Sequence, residues 1–367
     1  MRTIVTAISA MFFAAILAAA SPDRTIPFAK NDKEWVSATL LRDDGSGIVV
    51  VAGNQPRHGR FVLFDAAGRS RTVTLEGMSV NAIAPVGEGS RYFISGAVGT
   101  GDEAGYYARL VDIRNDRIET IWDSSVLGAA LSRAEPVLEI DRTGRQWAVL
   151  TRKGNSGFTL RTGSPSSKHG GRKTDINFQS HGTPGPLPPR FAADAIDVEF
   201  VDSNPADPTV AVLHRGRVYL VSMTSGGIRA VLQPPRGGNV LRWDAPAQTL
   251  WVEASAEWSS FDLRELLAKG GRANAPRQPD AVTTFAGRAR HAVQGFPLGN
   301  GRFALQTREN GAVALELFDG PASEGRSLLL PEVASDGGLV YVSPAGKAAL
   351  LLPQGVFSNR AIVKPLQ

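Results

Sequence analysis

Beyond its first twenty residues the chain alternates between short apolar runs and turns rich in Gly, Asp, Asn and Pro, and helical periodicity is nearly absent. Runs such as Ile48–Ala52 and Val210–Leu213 are rich in β-branched residues and end at turn formers, which marks them as strands. Aligning the tight turns lays out seven units. Each pairs two strands: Thr39–Leu41 with Ile48–Ala52, Ala82–Val86 with Tyr92–Ser95, Val137–Ile140 with Trp147–Thr151, and Val198–Val201 with Val210–His214. The remaining pairs are Val240–Trp243 with Leu250–Glu253, Ala292–Pro297 with Phe303–Thr307, and Leu339–Val342 with Ala348–Leu352. Third and fourth strands follow in the first unit (Arg60–Asp65, Arg71–Leu75) and the second (Tyr107–Ile113, Ile118–Trp122). They recur in the fourth (Arg217–Ser222, Ile228–Leu232) and the sixth (Ala312–Phe318, Ser327–Leu330).

Gly45 and Gly89 mark equivalent turns one repeat apart, close to the roughly 40–45 residues of a four-stranded propeller blade. The pattern predicts an all-β fold, a seven-bladed β-propeller, in one domain over residues 21–367. The seventh unit ends at Ala361–Val363 and is one strand short, and Thr25–Ala29 can supply that strand. Pairing this N-terminal strand with the last blade would close the ring and remove its sheet edges. Two stretches break the rhythm and are expected as insertions, residues 163–190 and 262–280; they fall in the third and fifth units, so six or eight blades stay open. The first contains Pro184-Gly185-Pro186-Leu187-Pro188-Pro189, which cannot enter a sheet interior, yet it can hide a short strand at Thr174–Phe178. The second opens with a helix over Leu263–Lys269, capped by Asp262 or Ser260 and stopped by Gly270-Gly271, and continues as a mobile basic tail, Arg272–Arg277.

Two turns carry a resemblance. Val342-Ser343-Pro344-Ala345-Gly346-Lys347 resembles the Ser-Pro-Asp-Gly-Lys turn of WD40-like and TolB-like propeller repeats, with Ala345 in place of the acidic residue. Asp141-Arg142-Thr143-Gly144-Arg145-Gln146-Trp147 resembles the D-x-x-G-x-x-W turn of other propellers. Each match is confined to one turn, so the resemblance is to the β-propeller superfamily and singles out no member.

The N-terminus indicates the compartment. Arg2 precedes an apolar run, Ile4–Leu17, and Ala18-Ala19-Ala20 stands before Ser21-Pro22, the layout of a secretory signal peptide over residues 1–20. The run is short for a membrane span, which needs about 20 apolar residues, and no stop-transfer pattern follows; an uncleaved N-terminal anchor is the other reading. A periplasmic or secreted protein is expected, monomeric and without a transmembrane segment after cleavage. The chain has no cysteine, which excludes disulfides, lipidation at a lipobox, thiolate zinc sites and Cys nucleophiles. Its formal charge of +5 falls by one unit when Arg2 is removed. That mild excess lacks the clustered Lys/Arg and interleaved aromatics of a nucleic-acid binder. The expected partner is a protein or an anionic ligand of the cell envelope.

Arginine supplies the candidate chemistry. Arg152, Arg215 and Arg308 end the second strand of the third, fourth and sixth units. In a propeller the loop leaving that strand shares a face with the connection between blades, where Arg57, Arg60, Arg236, Arg288 and Arg290 also fall. The candidate ligand-binding residues are therefore Arg57, Arg152, Arg215, Arg236, Arg290 and Arg308, with His214 and His291 at nearby strand ends. Guanidinium forks bind carboxylates or phosphates bidentately; the competing reading is that each makes a rim ion pair or lies over a neighbouring blade. His58 falls in a Gly/Pro-bearing loop, Asp102-Glu103 in a Gly-rich one, and the tryptophans read as packing between blades.

There is no G-x-S-x-G elbow, no repeated quinoprotein signature and no pair of histidines at metal-binding spacing, so no cofactor, metal or catalytic residue is assigned. Besides a structural role in a cell-envelope complex, favoured if the two insertions stand on one face, two functions remain in view: a non-catalytic propeller that binds a ligand or partner protein through its basic loop face, and a propeller hydrolase or lactonase using a metal or carboxylates at the channel mouth. The side chains at that mouth separate them.

Overall fold

The computed structural model describes residues 22–54, 56–87, 89–99, 105–114, 116–123, 137–141, 146–153, 157–164, 172–177, 196–202, 207–254, 257–268 and 276–366; of residues 106, 137, 138, 140, 151–153, 157, 158, 172–177, 196 and 202 the backbone alone is described. The signal peptide expected over residues 1–20 lies outside them, as does Asp102-Glu103.

The described strands form seven four-stranded antiparallel sheets. After β1 (Arg24–Pro27), the first sheet is β2 (Glu34–Leu41), β3 (Gly47–Asn54), β4 (Arg57–Phe64) and β5 (Ser70–Glu76). The second is β6 (Met78–Pro85), β7 (Arg91–Val98), β8 (Gly105–Arg114) and β9 (Arg117–Asp123), and the third is β10 (Val137–Ile140), β11 (Trp147–Lys153), β12 (Gly157–Gly163) and β13 (Arg172–Asn177). The fourth is β14 (Ile196–Asp202), β15 (Thr209–His214), β16 (Arg217–Ser222) and β17 (Ile228–Leu232). The fifth is β18 (Val240–Asp244), β19 (Thr249–Ala254), β20 (Glu257–Asp262) and β21 (Ala281–Thr283), and the sixth is β22 (Ala292–Gly299), β23 (Arg302–Glu309), β24 (Ala312–Phe318) and β25 (Arg326–Leu329). The seventh runs β26 (Leu339–Val342), β27 (Ala348–Leu352), β28 (Arg360–Pro365) and then β1, with Arg24 opposite Val363 and Pro27 opposite Arg360. First strands neighbour one another from sheet to sheet, β2 beside β6 and β26, β14 beside β10 and β18, and β18 beside β22.

Burial explains which strands the apolar pattern reveals. β15 and β27 are buried at every position and β3 at all but its last, because sheets cover both of their faces and polar alternation has no place there. The fourth strand lies at the edge of each meander, and β5 and β9 are mostly exposed. The core therefore sits between sheets. Ile26, Val36, Val49, Val51, Leu350 and Val363 join the seventh sheet to the first. The tryptophans do similar work: Trp122 and Phe93 of the second sheet pack on Trp147 of the third, with ring centroids 5.2 and 6.3 Å away.

The repeat turns have the chemistry their sequences imply. Ser343 Oγ accepts hydrogen bonds from Lys347 N and Ala348 N, and Gly346 takes the positive φ of 71° that its turn requires. Where related turns carry an acidic residue, Ala345 N instead donates to Asp43 Oδ1 of the first sheet's turn, at 2.8 Å. Asp141 Oδ1 accepts from Gln146 N at 2.8 Å.

Both expected insertions are partly sheet. Arg172–Asn177 is β13, the outer strand of the third sheet, which overlaps the short strand expected at Thr174–Phe178 and begins two residues before it. In the stretch 262–280, α1 spans only Arg264–Ala268, capped by Asp262 Oδ1 accepting from Arg264 N at 2.9 Å. Leu263 is buried against the fourth and fifth sheets, which fixes the helix there. Arg277, expected in a mobile tail, bonds through its backbone to Val231 and Gln233 beside β17. Residues 269–275 lie outside the described ones.

Candidate functional site

The connections after each second strand and between sheets lie on one face, and inter-sheet bonds tie them together. Arg57, at the start of β4, donates through Nε to Gly99 O and through Nη1 to Asn54 Oδ1 at 3.2 Å. Arg215 and Gly216 form the two-residue turn between β15 and β16, both at positive φ, with His214 buried at its base. Arg236, between the fourth and fifth sheets, pairs with Glu257 at 3.3 Å. Arg308 donates through Nη2 to Gly338 O of the next sheet's approach, at 2.6 Å. Arg290 Nε lies 2.8 Å from His291 Nε2, which is 3.5 Å from Glu309 Oε1. Arg152 closes β11, and its side chain lies outside the described residues. The structure thus brings Arg290 and His291 together, while Arg57, Arg215, Arg236 and Arg308 belong to separate sheets. Several of these guanidiniums spend donors on the protein itself.

A constellation absent from the sequence reasoning lies on the same face. Glu34 opens β2 and is nearly buried; its Oε2 accepts from Asn31 N at 2.7 Å and from Arg60 at 3.1 Å, and its Oε1 lies 2.7 Å from His58 Nε2. His58 is not in a loop but inside β4, two residues before Arg60, so alternation puts both on one side of the strand. That spacing was a readable signal, but its carboxylate partner is non-local. Burial alone would raise the Glu34 carboxyl; the Asn31 amide, His58 and Arg60 outweigh it and hold it below its ordinary range. The folded state then binds this proton less readily than the unfolded chain. Glu34 therefore stabilises the protein above its ordinary carboxylate range, and that contribution is lost as pH falls through the lowered value. Glu34→Gln should cost about 2 kcal/mol at pH 7, and urea melts should show the gap to wild type closing as the buffer is acidified below pH 4.5.

Beside this cluster the β27–β28 connection forms a tight 3-10 turn, Gly355–Phe357, packed against β2. Gly355 has φ 58°, and a Cβ there would meet Gly337 O, so the turn is built around a bare backbone. It presents Phe357 at 68% exposure, with Lys30 Nζ 5.9 Å from the ring centroid. Val356 is exposed next to it.

On the opposite face a cavity of about 460 Å³ opens where β14, β18, β22 and β26 end, with Glu199, Arg242, Asp244, Arg302 and Asp43 among its walls. Its carboxylates hold backbone. Asp197 Oδ2 and Glu199 Oε1 of β14 accept from Leu241 N (2.8 Å) and Trp243 N (3.3 Å) of β18, and Asp244 accepts from Ala247 N and Gly301 N. Burial pushes the Asp197 and Glu253 carboxyls up, with Arg242 opposing. Among the described residues, no group of three or more His, Asp or Glu side chains is placed to hold a metal ion. No helix among them is long and apolar enough to cross a membrane.

No protein-family model and no curated protein matches the chain. Solved structures do. The β-propeller domain of Myceliophteria thermophila Cps50 (Swd1) aligns with 94% of this chain and 100% of its own length, at 12% identity and a TM-score of 0.57. Chaetomium thermophilum Sqt1 aligns with 94% of this chain and 98% of its own, at 11% identity and a TM-score of 0.54. Likeness at such identity speaks for the fold and not for activity. The protein is a β-propeller, as its turn residues imply.

Proposed function

We propose that the protein is an exported, non-catalytic propeller that binds a partner protein of the cell envelope through the loop face bearing Phe357. In this reading the seven sheets are successive blades of one monomeric ring, and the pairing of β1 with β28 completes it. The observation that carries the function is Phe357, a large aromatic side chain held in water by a rigid turn and bordered by Lys30 and the Glu34–His58–Arg60 cluster. Interfaces concentrate their binding energy in such aromatic anchors with cations around them. An anionic ligand on the same face is less favoured, because Arg57, Arg236 and Arg308 already meet acceptors of the protein. Glu199 and Asp244, in the cavity on the opposite face, bond backbone amides, so the hydrolase reading gains no support from them.

The test is quantitative capture from envelope extract on the immobilised full chain, after N-terminal sequencing establishes processing near Ala20. Phe357→Ala should weaken the retained partner roughly 30-fold, equivalent to about 2 kcal/mol. Leu329→Ala, which removes an exposed apolar residue from β25, should leave it unchanged. Equal retention by both variants would refute this surface.

A further inference from the structure

Arginines crowd the junction of the first two sheets on the face opposite Phe357. Arg42 follows β2, Arg71 lies in β5, Arg91 opens β7 and Arg114 ends β8. With Ser90 and Tyr92 they line an open cavity of about 740 Å³, and no Asp or Glu is among the described residues of its wall.

The way these arginines are held leaves donors to spare. Arg42 Nη2 donates to Gly89 O at 2.9 Å and Tyr92 Oη at 3.3 Å. Arg114 donates through Nε alone, to Ser90 Oγ and Asp112 Oδ1, each at 2.9 Å. Arg91 Nε lies 3.7 Å from Asp112 Oδ2, and Arg71 Nη1 donates to Asp116 Oδ1 at 2.7 Å. Asp112 is 8% exposed and sits behind two of the cations. It grips Nε, the stem side of each head, so the two Nη groups of Arg91 and Arg114 have no hydrogen-bond acceptor among the described residues. Those side chains are 55% and 65% exposed. A guanidinium presents five N–H donors in a fixed fork that matches phosphate and sulfate oxygens. With Arg117, opposite Arg114 in the β8–β9 register, the arginines around the cleft meet Asp44 beside Arg42, Asp112, Asp116 and Glu119, and these carboxylates stand behind or beside the cleft and not in its wall.

We propose that this cleft binds a ligand carrying two or more phosphate or sulfate groups, gripped by the Nη groups of Arg91 and Arg114 with Arg42 and Arg71 completing the donor set. The site is independent of the Phe357 surface, so each can fail without the other. The test is calorimetric titration of the full chain with sodium tripolyphosphate and, separately, with dextran sulfate, at two salt concentrations. Wild type should show saturable binding that weakens as salt rises. Arg91→Gln combined with Arg114→Gln should weaken it at least tenfold, while Arg236→Gln on the other face leaves it unchanged. Binding of tripolyphosphate assigns a small multivalent anion, and binding of dextran sulfate alone assigns a polymer laid along the cleft. The proposal is overturned if wild type binds neither, if the double variant binds as wild type does, or if Arg236→Gln loses as much. Phenylglyoxal labelling of wild type needs no folded variant: tripolyphosphate should protect Arg91 and Arg114, and equal labelling with and without it also overturns the proposal.

Discussion

Phe303→Ala is expected to lower the unfolding free energy by about 3–5 kcal/mol, measured from urea denaturation. Phe303 lies on β23 and is fully buried. Its ring centroid is 4.7 Å from Trp258, 4.8 Å from Phe285 and 5.3 Å from Trp251, so three aromatic partners lose a neighbour when it is truncated. Two of them, Trp251 and Trp258, belong to the fifth sheet, and Phe303 belongs to the sixth. The cavity would therefore open at a joint between sheets rather than inside one. Gly295 worsens the prospect of collapse, because its bare Cα already lets Trp258 and Phe303 approach the backbone. Phe303→Leu keeps most of the volume and should cost less than half as much. A loss under about 1 kcal/mol for the alanine variant would mean that the aromatic joint does not support the fold.

Gly96→Ala is the second large effect, about 3 kcal/mol, by the opposite mechanism. A Cβ at Gly96 would stand 1.9 Å from Ser79 O and 2.9 Å from Val80 Cα. These are backbone atoms of β6, which cannot swing aside as a side chain can. The approach arises where the β6–β7 register shifts between Val80 and Ala82, a bulge that presses β6 toward its partner. Gly77→Ala is the control. Gly77 has φ 79°, but a Cβ there meets nothing within 4 Å, so only the left-handed conformation is penalised, by about 1 kcal/mol. Equal urea midpoints for the two variants would show that the close approach at Gly96 is absent in solution.

What could be read from residues alone follows burial. Second strands such as β3, β15 and β27 were legible because burial keeps them apolar, first strands because tight turns join them to these, and the turn at Ser343 because its hydroxyl and Gly346 are local chemistry. The outer strand β21 was not, since Ala281–Thr283 is only three residues long, and β13 showed only as a possible short strand at Thr174–Phe178, because Arg172–Asn177 is largely polar. Neither offers alternation to detect. The placement of Arg57, Arg215, Arg236 and Arg308 at loop ends was legible from strand spacing. What they bond to was not, because Glu257, Gly99 and Gly338 are reached only through the packing of sheets. For the same reason the Arg91–Arg114 cleft escaped notice: its members lie at or near the ends of four different strands, and each in isolation is an ordinary surface arginine.

The pairing of β1 with β28 has a consequence for how the protein is made. Within each of the other six sheets, hairpins join strands that leave the ribosome in succession, so those sheets can form during synthesis. The last sheet cannot, because Arg24–Pro27 emerges well before its partner Arg360–Pro365 and must wait for it. The entropy of closing so long a loop is modest, since each doubling of length costs only about 0.6 kcal/mol. Time is the larger burden: until Arg360 is synthesised, Ile26, fully buried in the finished protein, faces water.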